Sequence, residues 1–328
     1  MKIAVYDSHR FEKAPFEEGN KRYGFELVFL EPRLTPETAV LAQGFPVVCC
    51  FTNDRLSAET LKVLKEKGVR LVALRSAGFN HVDLKEAARL SIKVVRVPAY
   101  SPHAVAEHAV CLILALNRKI HRAYSCVREL NFSLDGLVGF DLNGKTVGLI
   151  GTGRIGQVFA RIMTGFGCQV LAHDVKPDAE LSGTYTSLDE IYRKSDIISL
   201  HVPLTPETRH LIDEKALARM KRGVMIINTG RGALIETHAL VSALKSGHVG
   251  SAGLDVYEEE ENFFFQDLSG QVLQDDTLAR LLTFPNVLIT SHQAFLTEEA
   301  LRNIAETTLA NIHEFEQGLP LRNEVSAS

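Results

Sequence analysis

The sequence predicts an α/β protein built from two parallel β-sheet units, and three observations point there. A short apolar run from Thr146 to Ile150 ends in Gly151, Gly153 and Gly156 and passes without a gap into a helical pattern. A second apolar run, residues 168–173, ends in Asp174, eighteen residues after Gly156. Along the rest of the chain, short apolar runs alternate with helical stretches, as in a parallel sheet whose crossover helices cover both faces. The chain has 328 residues, enough for two domains with separate cores.

Composition narrows the function classes. Apolar residues make up 45 % and charged residues 23 %, values of an ordinary globular protein. A formal net charge of -4 offers no bulk attraction to nucleic acid or to an anionic membrane. No apolar run reaches membrane-spanning length, and the first residues read as a strand rather than a secretory leader. The five cysteines, Cys49, Cys50, Cys111, Cys126 and Cys168, show no ligand spacing. Buried free thiols in a reducing, cytoplasmic setting are expected of them.

Taken in order, residues 2–7 are a strand, and residues 25–30 are its parallel neighbour after a short helix. Residues 46–51 form a third strand, followed by a helix over 57–67 that opens at Ser57. Residues 69–75 form a fourth strand that delivers Ser76, Ala77, Gly78, Phe79 and Asn80, and a helix resumes at Leu84. A fifth strand over 92–97 ends in the stiff stretch Pro98-Ala99-Tyr100-Ser101-Pro102. No glycine-rich turn interrupts this first region. Loops after the carboxyl ends of parallel strands are where such sheets bind ligands. The loop 75–80 and Tyr100 therefore qualify, although Arg75 equally suits a solvated charge and Tyr100 a hinge-packing aromatic.

Ser101 and Pro102 open a helix through Leu116 that is apolar nearly all round and hence buried. Residues 117–138 are less regular; with Phe132 and Leu137 they suit a projecting arm that meets another subunit. Beyond the glycine-rich junction come a short helix over 188–192, a strand and its exit over 195–204 and a strand over 223–229, with helices over 211–218 and 236–246. Strands over 250–256 and 287–290 come next, and a helix over 297–317 is long enough to return to the first domain.

The junction is the strongest local signal. Gly151 would make the tight turn, Gly153 would admit a pyrophosphate to the backbone, and Gly156 would let helix and sheet close. N–H groups at the helix start would face the phosphates. Asp174 stands where a carboxylate meets the adenosine ribose hydroxyls, which favours NAD over NADP, although Lys176 lies close enough to blur the choice.

Three later strand exits supply the chemistry. Arg231 lies between two glycines after a wholly apolar strand, and its planar fork suits a substrate carboxylate. His292 directly follows another apolar strand and can carry a proton near neutral pH. A carboxylate against its other nitrogen would fix the tautomer. Both Glu260 and Asp255 are candidates, and spacing does not decide between them. Glu258, Glu259 and Glu261 read as an acidic surface turn, and the aromatic run 263–265 as an anchor for the long connection after it. His81, His103, His108 and His173 read as structural or pocket-lining, and His201 as a neighbour of the adenine. No His/Cys cluster has metal-ligand spacing, so no metal is expected.

These residues together resemble the D-specific 2-hydroxyacid dehydrogenase family. The stretches that carry the likeness are Ser76 to Asn80, Val97 to Pro102, Glu107-His108-Ala109, Gly151 to Gly156, Asn228 to Gly232, Gly253 to Glu258 and Ser291 to Phe295. They span nearly the whole chain, and their joint order is far more specific than any one of them. Ser291 departs from the proline or glycine of many relatives, a change in loop stiffness.

The resemblance implies a flavodoxin-like outer substrate domain (residues 1–100 completed by 297–328) and an inserted NAD-binding Rossmann domain (101–296). It implies NAD-dependent interconversion of a 2-keto acid and a D-2-hydroxy acid, most closely as in the fermentative, pyruvate-reducing branch. Arg231, Glu260 and His292 become the catalytic set, which decides for Glu260 over Asp255. Ala77, Gly78, Tyr100 and Phe295 border the substrate. The cofactor set is Gly151, Gly153, Arg154, Ile155, Gly156, Asp174, His201, Val202, Pro203, Thr229, Gly230 and Asp255, the last near the nicotinamide. Relatives pair as homodimers through the cofactor domain, some assembling into dimers of dimers. Two other readings compete: reduction of a larger 2-keto acid such as phenylpyruvate or hydroxypyruvate, and a non-catalytic NAD(H)-sensing protein. The intact trio of residues speaks against the second.

Overall fold

A computed structural model describes residues 1–327. The chain divides into two compact units, one of Met1–Ser101 with the segment from Leu296 onward, the other of Pro102–Phe295.

Among the described residues, the first unit holds five strands: β1 (Lys2–Val5), β2 (Glu26–Phe29), β3 (Val47–Cys50), β4 (Leu71–Leu74) and β5 (Lys93–Val95). They pair in parallel in the order β2-β1-β3-β4-β5. All side chains of β3 and β4 are buried, as expected of central strands covered on both faces. One face packs on α2 (Ala58–Glu66) and α3 (Leu84–Arg89) through Leu61, Leu64 and Ala87. The other packs on α1 (Arg10–Asn20) and the carboxyl-terminal helix through Phe16, Ala305, Leu309 and Ile312. Ser57 caps α2, its hydroxyl accepting from the Thr60 N–H at 3.3 Å.

Arg75 departs from the expectation of a ligand-facing loop residue. It is fully buried and turned inward. Its Nε donates to Glu12 at 2.8 Å, and its terminal nitrogens donate to the carbonyls of Cys49, Tyr6 and Asp7 at 2.8–3.0 Å. A buried guanidinium is tolerated only when its donors are satisfied this fully. Arg75 thus ties the ends of β1, β3 and β4 together.

The second unit holds seven parallel strands: β6 (Thr146–Ile150), β7 (Gln169–His173), β8 (Thr184–Tyr185), β9 (Ile197–Leu200), β10 (Val224–Asn228), β11 (Val249–Leu254) and β12 (Val287–Ile289). Their order is β12-β11-β10-β9-β6-β7-β8. The chain moves outward from β6 to β8, returns to β9 on the other side of β6, and continues to β12. That reversal opens a crevice at the carboxyl ends of β6 and β9, the ligand position of such sheets. Helix α4 (Pro102–Asn117), packed with α6 (Arg154–Gly165), covers one face and α7 (Leu188–Lys194), α8 (Glu214–Ala218) and α9 (Thr237–Lys245) the other.

Several elements differ from expectation. Residues 117–138 contain a helix, α5 (Ile120–Arg128), none of whose residues is buried. Its apolar stripe of Ile120, Tyr124 and Val127 faces solvent, so the usual link between an apolar stripe and a core is missing. The helix expected over 211–218 starts later, because Ile212 pairs with Ile235 and Asp213 caps the Ala216 N–H at 2.7 Å. Strand β8 and α10 (Asp276–Leu282) were not anticipated; Asp275 caps the latter, accepting from Thr277 and Leu278. All five cysteines are free, but only Cys49, Cys50 and Cys168 are buried; Cys111 is exposed and Cys126 half-buried. The last helix, α11 (Glu298–Glu316), belongs to the first unit.

Candidate active site

The β6–α6 junction fits a dinucleotide. Gly151 has φ +98°, and a Cβ there would lie 2.6 Å from the His201 carbonyl carbon and 2.8 Å from the Val202 nitrogen. Only glycine fits both the left-handed backbone and the contact with the β9 exit. A Cβ at Gly156 would sit 2.1 Å from the Gly151 oxygen, whereas one at Gly153 would meet nothing within 4 Å. Gly153 thus faces open space at the start of α6, a helix with no side-chain cap, where anions are stabilised. Arg154 is exposed and Ile155 half-buried beside it.

Asp174 ends β7 on the same side. Its Oδ2 accepts from the Thr152 N–H at 2.6 Å and hydroxyl at 3.2 Å, and Oδ1 accepts from the Lys176 N–H at 2.9 Å. Desolvation pushes its pKa up, but the bonds from Thr152 and Lys176 outweigh that and hold the carboxyl below the usual range. Across the junction, the His201 imidazole packs against its own strand and α6. It meets the Ser199 hydroxyl at 2.8 Å and the Phe159 ring at 5.0 Å between centroids. Burial pushes its pKa down to about 4, so it is neutral at physiological pH. The main chain of His201 and Val202, rather than the ring, shapes the crevice. Pro203 is exposed beyond it, its carbonyl accepting from the Thr208 hydroxyl at 2.7 Å.

The ends of β10, β11 and β12 carry the remaining candidates on adjacent strands. After β10, buried Asn228 braces the loop, donating to the Arg231 carbonyl at 2.8 Å and accepting from the Gly230 N–H at 3.1 Å. The Thr229 hydroxyl is buried and lacks a hydrogen-bond partner among the described residues. Such an orphan is rare without a ligand or water to meet it. Arg231 is half-buried; its guanidinium donates to the Gly230 carbonyl at 2.7 Å and faces no carboxylate among the described residues. A Cβ at Gly232 would lie 2.1 Å from the Tyr257 carbonyl carbon. This close approach sets the Arg231 loop against the segment that carries Glu260.

After β12, His292 adopts φ +53°, a conformation that strains a residue with a side chain. Its Nδ1 lies 2.7 Å from Glu260 Oε1, and the two side chains are each 14 % exposed. The second oxygen of Glu260 accepts from the Tyr257 N–H at 3.0 Å. Because a carboxylate only accepts, Nδ1 carries the proton and Nε2 is left for a ligand. The His292 turn is fastened by Asp255, which is fully buried. The Asp255 carboxylate accepts from the N–H groups of Gln293 (2.8 Å) and Ala294 (2.9 Å) and from the Thr290 hydroxyl (2.6 Å). Its carboxylate is thus committed to the turn. Phe295 follows, also buried.

Glu258 is not the surface residue its setting in an acidic run suggests. Its carboxylate accepts from the Thr237 hydroxyl at 3.0 Å and contacts His210 Nε2 at 2.6 Å. Desolvation opposes ionisation, but His210 and Thr237 more than compensate and hold the carboxyl below the usual range. No local pattern marks this pair, which spans 48 residues. In the other unit, Ala77 and Gly78 lie in the loop after β4. Their carbonyls accept from Arg96 (2.8 Å) and the Ser76 hydroxyl (2.7 Å), while no acceptor meets their N–H groups among the described residues. The Tyr100 carbonyl accepts from Asn303 of α11 at 2.6 Å. Among the described residues there is no His/Cys/Asp/Glu group able to hold a metal ion, and no helix is long and apolar enough to cross a membrane.

Comparison with known proteins places this geometry in a family. Residues 110–294 match the model of the D-isomer specific 2-hydroxyacid dehydrogenase NAD-binding domain. The chain is 56 % identical over 319 residues to 2-hydroxyacid dehydrogenase homolog 1 of Schizosaccharomyces pombe, covering 96 % of both chains. It is 52 % identical over 328 residues to the D-lactate dehydrogenase of Escherichia coli, covering 99 % of this chain and 100 % of that one. The structure of the pyruvate reductase of Chlamydomonas reinhardtii superposes with a TM-score of 0.93 at 46 % identity, covering 98 % of each chain. With its glycine-turn crevice, its His292–Glu260 pair and relatives this similar along their full length, the chain belongs to the D-isomer specific 2-hydroxyacid dehydrogenase family.

Proposed function

We propose that this enzyme is a D-lactate dehydrogenase, reducing pyruvate to D-lactate with NADH and catalysing the reverse. The observation that carries the reading is the His292–Glu260 pair, 2.7 Å apart, on a strand end two strands from Arg231. Two strand spacings amount to about 10 Å, a span that long side chains close around a three-carbon acid. The Arg231 fork binds the keto acid's carboxylate and polarises the neighbouring carbonyl. His292, held by Glu260 through Nδ1, donates from Nε2 the proton that completes the hydroxyl, and takes it back in oxidation. NADH, when bound, supplies the hydride. Gly151, Gly153, Arg154, Ile155 and Gly156 receive the pyrophosphate, and Asp174 receives the ribose. Val202, Pro203, Thr229 and Gly230 line the route toward the nicotinamide, and His201 and Asp255 act by shaping backbone.

Ala77, Gly78, Tyr100 and Phe295 keep the substrate-binding role that the family likeness gives them. The acceptor-free N–H groups of Ala77 and Gly78 suit a carboxylate. The assembly is a homodimer joined through the arm that contains α5, whose apolar side chains lie exposed.

Steady-state rates with NADH over pyruvate, hydroxypyruvate, 2-ketoisocaproate and phenylpyruvate test the substrate. Pyruvate should have the highest kcat/KM; a higher value for a larger acid would move the assignment to another branch of the family. With NADPH the efficiency should fall by at least about ten-fold, because ionised Asp174 repels a 2′-phosphate.

A further inference from the structure

We propose that His108 is a positioning residue for the acid–base histidine, acting through a part-buried chain of hydrogen bonds between α4 and the turn that follows β12; the inference rests on the function assigned above. Helix α4 is nearly all apolar, and His108 is the polar member of one of its stripes. Leu112 and Leu116, four and eight residues on, pack over Gly253 of β11, where an added Cβ would lie 3.1 Å from each. That closeness brings the preceding turn of the helix to the carboxyl ends of β11 and β12. There His108 Nε2 lies 3.0 Å from the Thr290 hydroxyl and 3.4 Å from Asp255 Oδ1.

The direction of the chain follows from its end. The Asp255 carboxylate only accepts, so the Thr290 hydroxyl, 2.6 Å away, donates to it. The Thr290 oxygen is then the acceptor for His108, which must carry its proton on Nε2. Asp255 passes the restraint on through the N–H groups of Gln293 and Ala294, and its own carbonyl accepts from the His292 N–H at 2.7 Å. His292 sits in that turn with φ +53°, a conformation that persists only when its surroundings over-determine it. His108 fixes Thr290, Thr290 and the two amides fix Asp255, and Asp255 holds His292 in reach of Glu260. Glu107, the neighbouring acid, points away to His103 on the exposed face of the helix.

The test compares His108→Leu, His108→Gln and Thr290→Val in the full-length enzyme. A leucine side chain has no donor, whereas the Gln amide nitrogen reproduces Nε2. We expect H108L to lower kcat for pyruvate by about ten-fold while KM and the NADH Kd change by less than about three-fold, with H108Q restoring most of the rate. T290V should lose as much as H108L, and the double variant should lose no more than either, because both cut one chain. In the cofactor-free protein, the downfield Nδ1–H proton signal of His292 should broaden or vanish in H108L and T290V and remain in H108Q. Additive losses in the double variant, an H108Q as slow as H108L, or an unchanged His292 signal in both disrupted variants would each overturn the proposal. Absence of turnover in the wild type would instead overturn the function, and the His292 signal would still judge the chain.

Discussion

The role proposed for Arg231 depends on what surrounds it rather than on its own position alone. Asn228 fixes its backbone and Gly232 presses its loop onto residues 257–258, yet its guanidinium faces no carboxylate among the described residues. A charge left unpaired in a half-buried loop is costly unless a ligand meets it. Arg231→Lys keeps the charge and loses the fork. We expect kcat/KM for pyruvate to fall by at least about 100-fold, mostly through KM, in steady-state assays. At His292 the expectation is the reverse split. His292→Ala removes the proposed proton donor without touching the glycine-turn crevice. Its kcat should fall by about 100-fold to 10,000-fold while the NADH Kd, read by calorimetry, stays nearly unchanged. A residual rate close to wild type would remove the acid–base assignment.

At the scale of elements, the switch between β6 and β9 builds the crevice beside the glycine turn, and His201 shows how its packing responds to pH. Folded, the His201 imidazole titrates near 4 because burial disfavours its charge. Unfolded, it titrates near 6.5. Between those values the unfolded chain binds more protons, so His201 subtracts stability progressively as pH falls from about 6.5 toward 4. His201→Gln retains a polar nitrogen opposite Ser199 but does not titrate. Its Tm should therefore fall less than that of wild type between pH 7 and pH 5, measured by calorimetry without cofactor. Equal losses would place the acid sensitivity elsewhere.

For the whole molecule, the arm around α5 is the element with least reason to exist in a lone subunit. Leu130, Leu134 and Val138 are 78 %, 79 % and 84 % exposed, and Ile120, Tyr124, Val127 and Phe132 are also out of the core. Scattered exposed apolar residues need no explanation, but this many within one segment fit the proposed subunit interface. If the proposed homodimer is joined through this arm, replacing Leu130 and Val138 together with Glu gives a folded monomer by light scattering, since neither side chain contributes to a core. A variant that stays dimeric would place the interface elsewhere.

What the sequence determined by itself was everything carried by short range. Strand periods, the Ser57 cap, the glycine turn and the residues at each strand exit follow from backbone preferences within a few positions, and those are written locally. Tertiary structure decided the partners. Arg75 reads as a loop charge in sequence, but its bonds reach 63 residues back to Glu12 and make it an internal tie. Glu258 reads as surface until the β10 and β11 exits bring it to Thr237 and, 48 residues away, to His210. From spacing alone, Glu260 and Asp255 both remain candidates to support His292, with Asp255 at its strand end better placed for the cofactor. The fold separates them, because Asp255 is spent on the backbone of the turn while Glu260 meets the ring. Which side chains meet depends on sheet order and register, set by burial of the whole core, and no window of neighbouring residues contains that information.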